Sequence, residues 1–187
     1  EKAQQHFQIY ISPFAAKIAY PVSNRVDAYA LFGQGTYKLT EQLRLTAGLR
    51  YSYEKKNAVF RNIVTDPGGM LTGVPGGGVF TTAFDADANW KAWTPKFGID
   101  YQINDDVMLY ASATRGFKSG GFNLLGAGEQ FDPEHVWSSE AGIKSTFLDR
   151  RVRLNLSAFH YEYSGLQVNR YNPSTGGATT TVTNAAS

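Results

Sequence analysis

The sequence predicts an all-β protein: an antiparallel up-and-down transmembrane β-barrel segment with long extracellular loops and short periplasmic turns. Three observations predict it. Apolar and polar residues alternate with period two over stretches of roughly ten to fourteen residues. Short and long connections take turns along the chain. Aromatic residues gather near the ends of the alternating stretches. A membrane barrel needs all three, because its strands must cross an apolar band while presenting a polar inner face.

The bulk numbers agree. The chain has 187 residues, a net charge of +2 and no cysteine. So small a charge sets up no field for nucleic acid, and the Lys and Arg residues are not clustered among aromatics on one face. Without cysteine there is no disulfide framework, zinc–thiolate site or thiol nucleophile. No apolar run approaches the roughly 18–20 residues of a membrane-spanning helix. The first twenty residues lack the basic start and apolar core of a signal peptide.

The N-terminal "HFQIYI" is a weak strand candidate. In residues 27–39, Tyr29, Leu31, Tyr37 and Leu39 share a face, with Phe32 opposite. "QLRLTAGLRYSYE" alternates cleanly: Leu43, Leu45, Ala47, Leu49, Tyr51 and Tyr53 against Arg44, Thr46, Arg50 and Glu54. "FGIDYQI" and "VMLYASA" repeat the pattern, and "WSSEAGIKSTF" sets Trp137, Ala141, Ile143 and Phe147 against Glu140 and Lys144. In residues 151–163, Val152, Leu154 and Leu156 share a face, but Phe159, Tyr161 and Tyr163 fall out of phase. A bulge or an aromatic inner face accounts for this equally well.

Tight turns are expected at Thr40 and Glu41, at Asn104 to Asp106, and at Asp149 and Arg150. Long loops are expected at 57–89, 119–134 and 169–178. Tyr37 lies near a short turn, while Tyr51, Tyr53, Trp93, Phe117 and Trp137 lie near long-loop ends, as two interfacial girdles require. The simpler explanation is that aromatics are good strand formers, and the girdle reading is preferred because of the turn pattern.

Catalytic and metal motifs are weak. "DADAN" places Asp85, Asp87 and Asn89 at alternate positions, but Trp90 and Lys96 stand where a calcium-binding EF-hand needs Gly and Glu. No phosphate-loop pattern occurs. His6, His135 and His160 have no metal-ligand spacing. His135 beside Glu134 is the one hydrolase-like pair, and it is not preferred. No cofactor or metal is expected. Arg44, Arg50, Lys96, Asp100, Glu140 and Lys144 fall on the polar face, where pairing or hydration is the expected role. In "TRGFKSGGFN", Arg115 and Lys118 end a strand, and Gly120 and Gly121 let the backbone turn. A cationic strand end is preferred there over a ligand contact.

Three stretches carry a family resemblance: "DAYALFGQGTYKLTEQLRLTAGLRYSYEKK", "WTPKFGIDYQINDDVMLYASATRGFKSGGFN" and "EHVWSSEAGIKSTFLDRRVRLNLSAFHYEYSGLQV". They closely resemble the barrel of TonB-dependent outer-membrane receptors of the iron-complex or siderophore type. The resemblance covers about residues 26–187, and residues 1–187 are expected to form part of that barrel domain. It implies a bacterial outer-membrane protein, not an enzyme. It implies a 22-stranded barrel filled by an N-terminal plug, a ferric siderophore or similar scarce nutrient bound on the outer side, and TonB as the energising partner. Outer-membrane lipid and lipopolysaccharide would surround it. The chain carries neither plug nor TonB box and stops in mid-strand, so an internal barrel segment is expected. The loops would select the ligand, with Arg61, Arg115, Lys118, Arg170 and Tyr171 as candidate contacts, since Arg suits an anionic ferric chelate. Two other readings remain: a closed eight-stranded barrel with a structural or adhesive role, and a soluble sugar-binding β-sandwich.

Overall fold

The structure, a computed structural model, describes residues 2–11, 16–69, 73–123, 129–171 and 180–185. Every regular element is a strand. Seven form one antiparallel sheet: β1 (Lys2–Ile11), β2 (Ala16–Lys38), β3 (Leu43–Asp66), β4 (Gly78–Asn104), β5 (Val107–Lys118), β8 (Glu134–Phe147) and β9 (Val152–Ser164). The order in the sheet follows the order in the chain, except that β8 lies directly beside β5. Between them, β6 (Gly121–Phe122) pairs with β7 (Gln130–Phe131). Beyond β9, β10 (Gln167–Tyr171) pairs with β11 (Thr180–Asn184). "HFQIYI" and "TVTN" therefore both become strands, as the sequence suggests.

The register turns alternation into two faces. Leu45 stands between Tyr37 and Ile99, and Tyr51 between Leu31 and Trp93. Leu109 stands between Tyr101 and Ile143. These large side chains share one face and are solvent-exposed: Leu31 79%, Tyr37 70%, Trp93 56% and Phe97 55%. A soluble protein does not spread this much apolar surface over contiguous strands, whereas hydrocarbon covers it at no cost. Among the described residues no helix is long and apolar enough to cross a membrane.

The three tight turns form as expected. A bulge at Ile103 precedes the second, where the register shifts between Gln102 and Asn104. The third uses left-handed backbone at Leu148, Asp149 and Arg150. Asp106 stitches the second and third turns: its Oδ1 accepts from Thr146 Oγ1 (3.0 Å) and from Arg150 Nε (3.3 Å).

Two expectations are corrected. Residues 57–89 are not one long loop. β3 runs on to Asp66 and β4 begins at Gly78, with an unbroken ladder from Asn57↔Asp87 to Asp66↔Gly78. About 9–11 residues suffice to cross a bilayer, so much of these 24- and 27-residue strands projects beyond it as a two-stranded ribbon. Only the Pro- and Gly-rich tip is a turn. Residues 169–171 likewise belong to β10, while 172–178 of that expected loop lie outside the described residues.

The phase problem in β9 also resolves. Its ladder with β8 has no shift from Phe147↔Val152 to His135↔Ser164. Phe159, Tyr161 and Tyr163 therefore lie on the polar face, opposite Glu140, Ser138 and Val136. They form a ladder with ring centroids 5.2 and 6.4 Å apart.

Among the described residues no ladder joins β1 to β9 or β11. The closed eight-stranded barrel is not realised among the described residues, and the two-stranded sheets β6–β7 and β10–β11 are too small to make the second layer of a sandwich. What little core there is lies on the polar face near the outer end. Ala58, Phe60, Trp90 and Ala92 are buried there, and the chain around β6 and β7 reaches Trp90.

Candidate ligand-binding site

The site begins where two hairpins part. β4 and β5 pair only as far as Lys96↔Thr114. Beyond that row β4 continues with β3, and β5 continues with β8. The opening is a cleft of about 620 Å³. Ala28 to Ala30 line it from β2, Arg50 and Ser52 to Glu54 from β3, Thr94 from β4, and Arg115 to Ser119 from the end of β5.

Its charge is mainly positive. Arg50 bonds Ser52 Oγ at 3.1 Å, and its guanidinium lies 5.9 Å from the Phe32 ring centroid. Among the described residues, no carboxylate lies within ion-pair distance of Arg50, Arg115 or Lys118. The acid in the cleft, Glu54, is already taken. It accepts from Ser119 Oγ at 2.6 Å and from Lys56 Nζ at 3.0 Å. Burial raises the Glu54 carboxyl, but the Ser119 and Lys56 contacts outweigh it and hold the group below the usual carboxylate range.

Next to the cleft, which it joins at Ser119, lies a shelf formed by "SGGFN". Lys56 Nζ donates to Gly120 O at 2.8 Å and lies 5.4 Å from the Trp90 ring centroid. Phe122 packs on the same indole at 5.9 Å. Gly120 and Gly121 are there for space. A Cβ on Gly120 would meet Phe131 O at 2.3 Å and Trp90 Nε1 at 2.5 Å, and one on Gly121 would meet the Phe131 ring at 2.6 Å. The turning role expected from sequence is corrected accordingly: neither has the positive φ that would require glycine. Asn123, 7% exposed, acts as a strand in miniature. Its Oδ1 accepts from Val182 N (2.7 Å) and its Nδ2 donates to Val182 O (2.8 Å). Gln167 Nε2 donates to Ser119 O and Asp132 O, both at 3.0 Å. The shelf is thus bolted to β3 and β4 on one side and to β10 and β11 on the other.

The sequence candidates divide. Arg115 and Lys118 border the cleft with Arg50. The row partner of Arg115 is Trp137, which places Arg115 on the apolar face, with its Nε buried and without a hydrogen-bond partner. Lys118 falls on the inner face. Arg61 lies far along β3, opposite Ala83. Arg170 and Tyr171 lie on β10, paired with Thr181 and Thr180. None of these three reaches the cleft. "DADAN" is strand, inside β4. Glu134 accepts from Gln167 N (2.9 Å), while His135 packs on Phe117 at 5.5 Å, so the two do not form a dyad.

The polar-face set is brought together lower down. Arg44 Nε lies 3.8 Å from Asp100, and Arg44 Nη2 donates to Met108 Sδ at 3.5 Å. Tyr110 donates to Glu140, and Lys144 Nζ sits 4.9 Å from the Tyr110 ring centroid. Lys96 lies on the same face, opposite Gly48 and Thr114. Lys56, Trp90 and Asn123 were not singled out by sequence reasoning. Lys56 and Trp90 flank residues 57–89, the stretch expected to be loop.

The sequence profile of the TonB dependent receptor-like β-barrel matches residues 4–187. The chain belongs to this family. The metal-pseudopaline receptor CntO of Pseudomonas aeruginosa is 32% identical over 135 residues, covering 72% of the chain and 17% of the relative. The ferric-pyoverdine 358 receptor of Pseudomonas putida is 29% identical over 162 residues, covering 86% of the chain and 18% of the relative. The chain thus spans less than a fifth of either. Among solved structures, the ferric yersiniabactin uptake receptor FyuA of Yersinia pestis superimposes with a TM-score of 0.65 at 16% identity, covering 91% of the chain and 23% of FyuA. The alcaligin receptor FauA of Bordetella pertussis gives 0.56 at 18% identity, covering 99% of the chain and 33% of FauA. These likenesses show the fold. As part of a TonB-dependent receptor barrel, the chain belongs to the outer membrane, and its exposed apolar face is the one that meets lipid.

Proposed function

We propose that this TonB-dependent receptor barrel imports a ferric siderophore or a related anionic metal chelate. The observation that carries the reading is the cleft where β4 and β5 part, which presents Arg50 and Lys118 with no carboxylate paired to either. Chelates that offer hard oxygen donors to iron carry negative charge, and cations in a partly desolvated cleft hold such oxygens well. Arg115, on the lipid side, anchors the rim. Relatives named for metal-pseudopaline and ferric-pyoverdine support a metal chelate as the cargo.

The polar face, with Arg44, Lys96, Asp100, Glu140 and Lys144, lines the lumen and packs against the plug of the intact receptor. TonB supplies the energy through that plug. Arg61, Arg170 and Tyr171 make the first, looser contact with incoming ligand from the projecting ribbons.

The test uses the full-length receptor in detergent and a panel of ferric chelates, with binding read by intrinsic fluorescence. Arg50→Ala and Lys118→Ala should each weaken the bound chelate by about 1.5–3 kcal/mol, the value of a hydrogen bond to a charged group. Added salt should weaken wild type more than either variant. Unchanged affinity in both variants would refute the role of the cleft.

A further inference from the structure

β4 is paired on one side far longer than on the other. Its ladder with β3 runs from Leu43↔Tyr101 to Asp66↔Gly78. Its ladder with β5 stops at Lys96↔Thr114. The next residue outward is Pro95, which has no N–H to donate, and from there β5 goes on with β8 alone. Phe122 of the shelf packs on Trp90. Beyond that point, among the described residues, no strand pairs with residues 79–89 on the side away from β3. Neighbouring strands of a complete barrel close the edges of β1 and β9. They cannot close this one, because its neighbour β5 is already in place lower down.

The edge lies outward of the row of Tyr51 and Trp93, so it stands in water and not in hydrocarbon. Backbone groups along a strand point alternately to its two sides. Residues 79–89 therefore hold out a row of unspent donors and acceptors, roughly 35 Å long at the rise of a strand. Proteins guard such edges with Pro, Lys, a bulge or a short strand. "VFTTAFDADAN" has no Pro, Lys or Gly, and its ladder with β3 shows no shift. Nothing in the strand discourages pairing.

Its two faces differ. Phe80, Phe84 and Ala86 lie on the inner face, with Phe84 stacked on Phe60 at 5.2 Å and Phe80 37% exposed. Thr81, Ala83, Asp85 and Asp87 lie on the outer face. Asp87 accepts from Asn57 Nδ2 at 2.7 Å and Lys55 Nζ at 3.0 Å. Asp85 is exposed, with no cation within ion-pair distance among the described residues. A strand laid along this edge meets apolar surface on one side and negative charge on the other.

We propose that residues 79–89 of β4 bind an extended polypeptide segment from outside the cell by strand addition. The segment alternates apolar residues, which join Phe80 and Phe84, with basic residues, which meet Asp85 and Asp87. Extended backbone is the ligand whose donors and acceptors repeat at the spacing of the edge. None of these residues lines the cleft, so the site is separate from it and independent of the nutrient carried.

The experiment uses the full-length receptor in neutral detergent and a fluorescent decapeptide of alternating Val and Lys, with binding read by anisotropy. Two analogues carry N-methyl groups, one on every Val and the other on every Lys. A bound strand turns only one of these sets toward the edge. One analogue should therefore lose at least about tenfold in affinity, the loss of several backbone hydrogen bonds, while the other stays within about twofold. Asp85→Lys, an exposed change, should weaken the Val–Lys peptide several-fold and strengthen a Val–Glu peptide. Alternate amides between residues 79 and 89 should exchange with deuterium freely in the receptor alone and slowly with the Val–Lys peptide bound. Four results would overturn the proposal: no binding of that peptide, equal losses with both analogues, amides already protected in the receptor alone, or a doubled mass in native mass spectrometry that shows the edge taken by a second copy.

Discussion

Single residues set the geometry of the mouth, and glycine does so by what it lacks. Gly142 sits opposite Tyr110, where a Cβ would come within 2.6 Å of both the Tyr110 ring and Leu156 O. Gly142→Ala should therefore push Tyr110 off Glu140 and destabilise the barrel by about 1–3 kcal/mol, the usual penalty for overpacking. Urea unfolding of the refolded full-length receptor measures it. Glu54 makes a pH-dependent prediction. Its folded pKa is lowered, so its contribution is present above the unfolded value of 4.5 and is lost as pH falls through the folded value. Protection of the shelf from protease should hold flat from neutral pH down to about pH 5 and fall below pH 4.5. In Glu54→Gln it should be weak already at neutral pH. Neither residue type declares this role in sequence. Gly120 reads as a turn until Trp90 and Phe131 are seen above it.

At the scale of elements, alternation was a faithful guide and composition a poor one. The six long strands were legible because a half-lipid, half-water sheet must alternate. Residues 57–89 were read as loop on the strength of "DPGGMLTGVPGGG", yet their flanks alternate too. Phe60, Phe84 and Ala86 fall on one face and Arg61, Asp85 and Asp87 on the other. The apolar stripe of this ribbon is short and interrupted by Thr and Asn, so its Pro- and Gly-rich turn was the more conspicuous signal. The shelf was illegible for a different reason. Asn123 and Val182 are 59 residues apart, and no local pattern links them. The two faces make their own prediction. Ala113→Arg, on the lipid side, should cost the barrel about 2–4 kcal/mol. Ser112→Arg, one residue away on the inner side and next to Glu140, should cost little. Equal losses in urea midpoint would mean that the faces are misassigned.

At the scale of the whole molecule, among the described residues no strand pairs with the outer side of β1 or of β9. Open edges in hydrocarbon leave backbone groups unpaired, and each is expensive there. The 187 residues expressed alone should therefore not float with lipid vesicles in a density gradient, whereas the full receptor should. Strands that part above the membrane leave a cleft, and the shelf adjoins it at Ser119. The central claim is that this wall serves an energised importer of an anionic metal chelate. The most direct measurement is uptake of radiolabelled iron chelates by iron-starved cells carrying or lacking the gene, with and without a proton uncoupler. The account predicts that one chelate is taken up only with the gene present and the gradient intact. Uptake of every chelate unchanged by deletion, or uptake indifferent to the uncoupler, would contradict it.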